Sequence, residues 1–288
     1  GDKRVCRVCR KMQKLWLDCI PANTRVLFYK DYITKEIINN SNLRIFQYKS
    51  PEEIRDLTYK KVQIGFGAIS SYVSRSRNLE PVIDKRFRDY FDNLLRTQCI
   101  VTDLLENYIN KEQPQKITLF NGRHFEVRPF FDFTTASNMP LECIELGFSN
   151  REDSFMVFNF NHNLPHNLKN LNEIIENTWR TSYLDKEDKE TIGKSFFENK
   201  RRNIPTGDKV YTGNQTKGLL PDGWDLKRRN FVIFNSSEDE FFAVGKDFTG
   251  LALFENQIAG IKAIAKLLQS EKDIHLYLRV HPNLKNIK

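Results

Sequence analysis

The sequence predicts an α/β protein built from parallel βαβ units, and two stretches carry that prediction. Residues 230–283 read strand, helix, strand. Phe231 to Phe234 is an apolar run. Ile258, Ile261, Ile264, Ala265, Leu267 and Leu268 then follow helical spacing, and 274–280 is a second apolar run. A strand, a crossover helix and a strand over about fifty residues make one βαβ unit. Residues 116–145 repeat the pattern in shorter form, with a strand at 116–120, a helix reaching 138 and a strand at 141–145. In open sheets of this class, ligands collect at the carboxyl ends of the strands. In both stretches the strands end in polar residues.

Taken in order, 1–20 is spaced as a helix, with Val5, Val8, Met12, Leu15, Trp16 and Cys19 on a face expected to be buried; Pro21 stops it. Short strands are expected at 25–29 and 43–48, with a helix at 31–39 between them. Gln63-Ile64-Gly65-Phe66-Gly67 leads into another helix. A glycine-containing loop there could cradle an anion or a sugar with its free N–H groups, or simply make a tight turn. Residues 85–110 form the strongest helix, with Phe87, Tyr90, Phe91, Leu94, Leu95, Val101, Leu104, Leu105 and Tyr108 at core spacing. A third strand-like run covers 154–160, and polar-faced helices cover 167–180 and 186–203. A domain hinge is expected within 205–229, dividing the chain into 1–215 and 216–288.

Composition narrows the class. The chain has 288 residues, enough for two domains, and no apolar run approaches the roughly 20 residues of a membrane span. Residues 1–20 are basic and lack the apolar segment of a signal peptide, so a cytoplasmic protein is expected. The net charge of +8 favours anionic partners: a membrane surface, phosphorylated ligands, acidic polysaccharide or nucleic acid. No nucleic-acid-binding signature accompanies the charge, which ranks nucleic acid low. Five scattered cysteines fit a reducing compartment. Cys6-x-x-Cys9 with Cys19 lacks a fourth ligand nearby, so no metal site is expected.

Several short motifs in a fixed order resemble bacterial capsule and surface-polysaccharide biosynthesis proteins. They are Phe120-Asn121-Gly122-Arg123, Glu145-x-Gly147, Gly213-Asn214-Gln215, the run from Phe234 to Glu240, Asn256-Gln257, and Leu278-Arg279-Val280-His281-Pro282-Asn283. The resemblance covers about 60–288. It implies a glycosyltransferase of GT-B architecture, with two Rossmann-like parallel-sheet domains facing across a cleft. The first is the acceptor side and the second the donor side. A second domain of that kind takes on the order of 120 to 150 residues, more than follow Asn230. The donor-side domain is therefore expected to be incomplete within this chain.

The resemblance implies transfer of a sugar from a nucleotide-sugar to a glycan or lipid-linked glycan, with no metal and no cofactor beyond the nucleotide-sugar co-substrate. An inverting transfer needs a base for the acceptor hydroxyl and donors or cations for the departing phosphate. Glu145 is the candidate acceptor-side base, with sheet-edge pairing or helix capping as its structural alternative; Asp132 is the weaker candidate. His281 is the second catalytic candidate. Ser236, Ser237, Glu240 and Arg279 are assigned to the donor phosphate, and Gly65, Gly67, Asn121, Gly122 and Arg123 to the acceptor cleft. Arg279 has an alternative as an ion-pair partner of Glu238 or Glu240, and the two serines have one as caps. The basic surface is expected to sit against the inner membrane. The rival functions are a nucleotide-sugar epimerase of the same architecture and a non-catalytic glycan- or phosphate-binding module.

Overall fold

The computed structural model describes residues 3–147, 156–202, 204, 216, 218–237, 239, 252–282 and 284. The fold is mixed α/β, dominated by helices, with two small sheets. Helix α1 is Lys3–Asp18, α2 Lys35–Asn42, α3 Pro51–Arg55, α4 Ile64–Ser76 and α5 Lys85–Glu112. Strand β1 is Ile117–Phe120, followed by α6 (Arg128–Ala136), β2 (Leu141–Gly147) and β3 (Met156–Asn161). Helices α7 (Leu168–Thr181) and α8 (Lys186–Arg201) come next, then β4 (Arg229–Phe234), α9 (Gln257–Leu268) and β5 (Ile274–Arg279).

Helix α5 is the spine. At about 1.5 Å per residue it is long enough to serve two cores. Asp84 starts it by accepting the Phe87 N–H, and Gln113 ends it in a left-handed conformation. Its amino-terminal half packs Phe87, Phe91, Leu94, Leu95 and Cys99 against Ile64, Phe66, Ile69 and Val73 of α4, Ile54 of α3, and Tyr48. Its Leu105 joins a second core with Ile117, Leu119, Leu141, Cys143 and Phe160 of the first sheet. Each such side chain contributes about 1.5–3 kcal/mol when fully buried.

Both predicted βαβ units are present. β1 and β2 pair in parallel, Ile117 opposite Leu141 and Phe120 opposite Ile144, with α6 as the crossover. β4 and β5 pair in parallel, Arg229 opposite Ile274 and Phe234 opposite Arg279, with α9 between them in sequence. The two Rossmann-like domains expected from the resemblance are not shown. The first sheet has three strands, and its third, β3, runs antiparallel to β2; the second sheet has two. The proposed division near residue 215 falls largely outside the described residues.

Three local expectations change. Residues 25–29 and 43–48 are not strands, because no described strand runs beside them to complete a ladder, and Tyr29 opens a short 3-10 turn. Their side chains are used elsewhere. Arg25 donates to Glu112 at 2.9 Å, and the hydroxyl of buried Tyr48 donates to Asp92 at 2.7 Å. The helix expected at 31–39 begins later, where Thr34 caps α2. Finally, the apolar stripe of α1 is exposed rather than buried: Val8, Met12, Leu15 and Trp16 all face solvent, Trp16 at 70%. No described helix is long and apolar enough to cross a membrane.

Candidate functional site

The carboxyl ends of β1 and β2 gather four of the sequence-predicted site residues, Asn121, Gly122, Arg123 and Glu145. Beyond Phe120 the chain turns through two left-handed residues, Asn121 (φ 63°) and Gly122 (φ 84°). Asparagine tolerates that region better than most residues. Gly122 is needed for a second reason. A Cβ there would lie 2.8 Å from Leu164 Cδ2 and 3.2 Å from Cys143 Sγ. The turn thus lets the segment after β3 approach the ends of β1 and β2.

Within this turn Asn121 is buried and its amide is aimed at Glu145. Nδ2 donates to Glu145 Oε2 at 2.8 Å, while the Asn121 main-chain N–H donates to Ile144 O at 3.0 Å. Glu145 Oε1 also accepts from the Leu146 N–H at 3.3 Å, and Asn121 Oδ1 accepts from the Arg123 N–H at 3.4 Å. A carboxylate is therefore held at the strand edge by a buried amide, with a cationic residue following in the turn.

Two buried imidazoles lie near Arg123, and no motif in the sequence marks either. Burial, then the nearby positive charge of Arg123, pushes His124 down to about 4. His166 falls to about 4 from burial, then from Arg123 and His124. Both rings are neutral near pH 7. His166 Nδ1 is buried without a hydrogen-bond partner among the described residues. Neutral imidazole both donates and accepts, so these rings can hydrogen-bond hydroxyls. The loop is anchored from behind, where the Phe125 N–H donates to Ser71 Oγ of α4 at 2.9 Å.

The carboxyl ends of β4 and β5 are tied by local side-chain bonds. The N–H and Oγ of Ser236 donate to Gln257 Oε1 at 2.9 and 3.3 Å, and Gln257 Nε2 returns a bond to Ser236 O at 3.1 Å. Asn256 caps α9 by accepting the Ala259 N–H at 2.8 Å. Asn235 Oδ1 accepts from the His281 N–H at 2.9 Å, joining the two strand ends. Ser237 is buried and donates to Asp239, whose carboxylate pairs with Arg77 at the end of α4. Arg279 Nη1 donates to Val280 O at 2.6 Å. Glu240, Glu238, Asn283 and the 213–215 motif lie outside the described residues.

Gly65 and Gly67 do not join either edge. Both are buried in the first turn of α4. A Cβ on Gly65 would overlap the Ile54 carbonyl of α3, and one on Gly67 would meet Gln98 Oε1 and, at 2.9 Å, Arg128 Cβ. They occupy a packing seam between α3, α4, α5 and α6. Asp132 is likewise buried. Both its oxygens accept from Arg128 Nε at 2.9 Å, and Oδ2 takes the Gln63 N–H at 2.7 Å, which leaves it a structural role. Among the described residues, no group of three His, Cys, Asp or Glu could hold a metal ion. Comparison with known proteins found no matching family model, curated protein or solved structure.

Proposed function

We propose that the chain is a metal-independent glycosyltransferase acting on a surface polysaccharide, with its acceptor side at the β1–β2 edge and its donor side at the β4–β5 edge. The observation that carries this reading is the Asn121–Glu145 pair at the carboxyl edge of two parallel strands, followed in the turn by Arg123, near which His124 and His166 lie. In the reaction, Glu145 accepts the proton of the acceptor hydroxyl as that oxygen attacks the anomeric carbon. Asn121 keeps the carboxylate oriented, and the imidazoles hold neighbouring sugar hydroxyls. The nucleoside diphosphate leaves toward the β4–β5 edge, where Arg279 and His281 supply a cation and a hydrogen-bonding ring.

The same reading assigns α1 to an anionic membrane surface, where lipid-linked acceptors are built. Arg7, Arg10, Lys11 and Lys14 occupy one side of the helix, and Val8, Met12, Leu15 and Trp16 the other, all exposed. A basic face opposite an apolar, tryptophan-bearing face is the pattern of helices that lie in the membrane interface.

A second reading has one observation in its favour: Ser236 and Ser237 spend their hydroxyls on Gln257 and Asp239. That suits a glycan-binding module without donor chemistry. The test is a panel of nucleotide-sugars and glycan acceptors, with product read by mass spectrometry. The transferase reading predicts an extended glycan, and a loss of turnover of about 100-fold or more in Glu145→Gln with glycan affinity retained. Conversion of the nucleotide-sugar without acceptor would instead identify an epimerase. Glycan binding without turnover would leave the module.

A further inference from the structure

The link between α4 and α5 encloses an open cavity of about 580 Å³ that shares no residue with either strand edge. That volume suits a ligand of small-metabolite size. One wall is aromatic. Tyr72 packs edge-on to Phe87 with ring centres 5.1 Å apart, and Tyr90 sits tilted against Tyr72 at 6.3 Å. Tyr90 stays 38% exposed, so part of its ring can meet a ligand.

The other wall is cationic. Arg75 leans over the Tyr90 ring, 5.9 Å from its centre. Arg86 lies in the first turn of α5, which carries no acid. Cations at a helix amino terminus oppose the helix dipole, and an anion there relieves the opposition. The other cations of that turn are engaged: Lys85 pairs with Asp89 at 2.6 Å, and Arg88 donates to Tyr48 O at 2.6 Å. Arg86 has no ion-pair partner among the described residues. The acid that lines the cavity, Asp84, is used as the cap of α5, its Oδ1 accepting from the Phe87 N–H at 2.7 Å. The linking loop is set in shape beforehand. Ser76 Oγ accepts from the Asn78 N–H at 3.2 Å, and Asn78 Oδ1 from the Glu80 N–H at 3.1 Å.

We propose that this cavity binds a phosphate monoester carried on a ring, with Arg75 and Arg86 holding the phosphate and Tyr90 stacking on the ring. Guanidinium forks match phosphate oxygens, and an exposed tyrosine face takes either a nucleobase or the apolar face of a sugar. A nucleoside phosphate and a sugar phosphate present this same chemistry, and the probes separate them.

The experiment is calorimetric titration of the chain with uridine monophosphate, glucose phosphate and inorganic phosphate at low salt. One of the two ring-bearing probes is expected to bind at least about tenfold more tightly than inorganic phosphate, and whichever does names the source. Arg75→Gln and Arg86→Gln are each expected to weaken it by about tenfold or more, the scale of a charge-assisted contact. Tyr90→Ala is expected to bring the ring-bearing probe down to the level of inorganic phosphate. Glu145→Gln should leave the affinity unchanged, so that this cavity and the strand-edge reading stand or fall separately. The arginines are exposed, and unchanged thermal melting of the variants confirms folding. Three results overturn the proposal: no saturable binding by either ring-bearing probe, affinity indifferent to both arginines, or affinity lost in Glu145→Gln alone.

Discussion

The two βαβ units share a local design and differ in what holds them. In β1–α6–β2 the strands are short, but Leu119, Leu141 and Cys143 are buried, β3 covers one edge, and α5 and α7 pack on the same core. In β4–α9–β5 the register is as regular, yet Phe234 is 77% exposed and Leu267 75%. Among the described residues of that unit's helix only Gly260 is buried. Its strand ends are held instead by polar bonds: Arg229 to Asp273 at 2.7 Å and to Glu271 at 3.0 Å, and the Tyr277 hydroxyl to Gly223 O at 2.9 Å. Trp224 lies against Tyr277, ring centres 5.0 Å apart. A βαβ pattern fixes strand direction and crossover; packing against further elements decides how firmly the polar ends are positioned. The Asn121–Glu145 edge stands on a core, whereas the Ser236–Gln257 edge stands on its own hydrogen bonds.

The largest expected effect compares matched truncations. Phe160→Ala should cost about 3–5 kcal/mol in chemical unfolding, since it empties a buried site under the first sheet. Phe234→Ala should stay within about 0.5 kcal/mol. Equal costs would break the comparison. Next is Gly122→Ala, where a positive φ meets a close approach to Leu164; a loss of about 2 kcal/mol is expected in the same assay.

A smaller effect concerns pH. His124 and His166 are held at about 4 in the folded chain against an ordinary 6.5. Above 6.5 both states carry neutral rings and the pair contributes no pH dependence. Between 6.5 and 4 the unfolded state binds the protons first, so stability falls as pH falls. Chemical unfolding across that window should show the decline, and the double variant His124→Gln with His166→Gln should flatten it. An identical slope in wild type and variant would place the acid sensitivity elsewhere.

Much of this was legible from side-chain spacing. Helix α5 is legible through its apolar face, and both parallel pairs follow from strand–helix–strand order. What periodicity could not show is what covers a face. The stripe on α1 was plain, but a stripe records two faces of a helix and says nothing of a partner. Strand β3 was readable as a strand, while its antiparallel sense is set by pairing with β2. The runs at 25–29 and 43–48 had apolar content without a neighbour to pair with. At the candidate site, Glu145 is legible from its place at a strand end, whereas Asn121 enters through the motif that carries the resemblance. His124 belongs to no sequence motif of known chemistry, and its burial is set by tertiary packing. His166 reaches the group through a tertiary approach that Gly122 permits at Leu164, which no local pattern encodes.

The most direct measurement is nuclear magnetic resonance of the side-chain amide of Asn121 and the rings of His124 and His166 while a glycan acceptor is titrated into the chain. The account predicts saturable shifts at these three side chains, with Glu145→Gln moving the Asn121 amide before any glycan is added. Saturable shifts confined to β4 and β5, with the Asn121 amide silent, would contradict it.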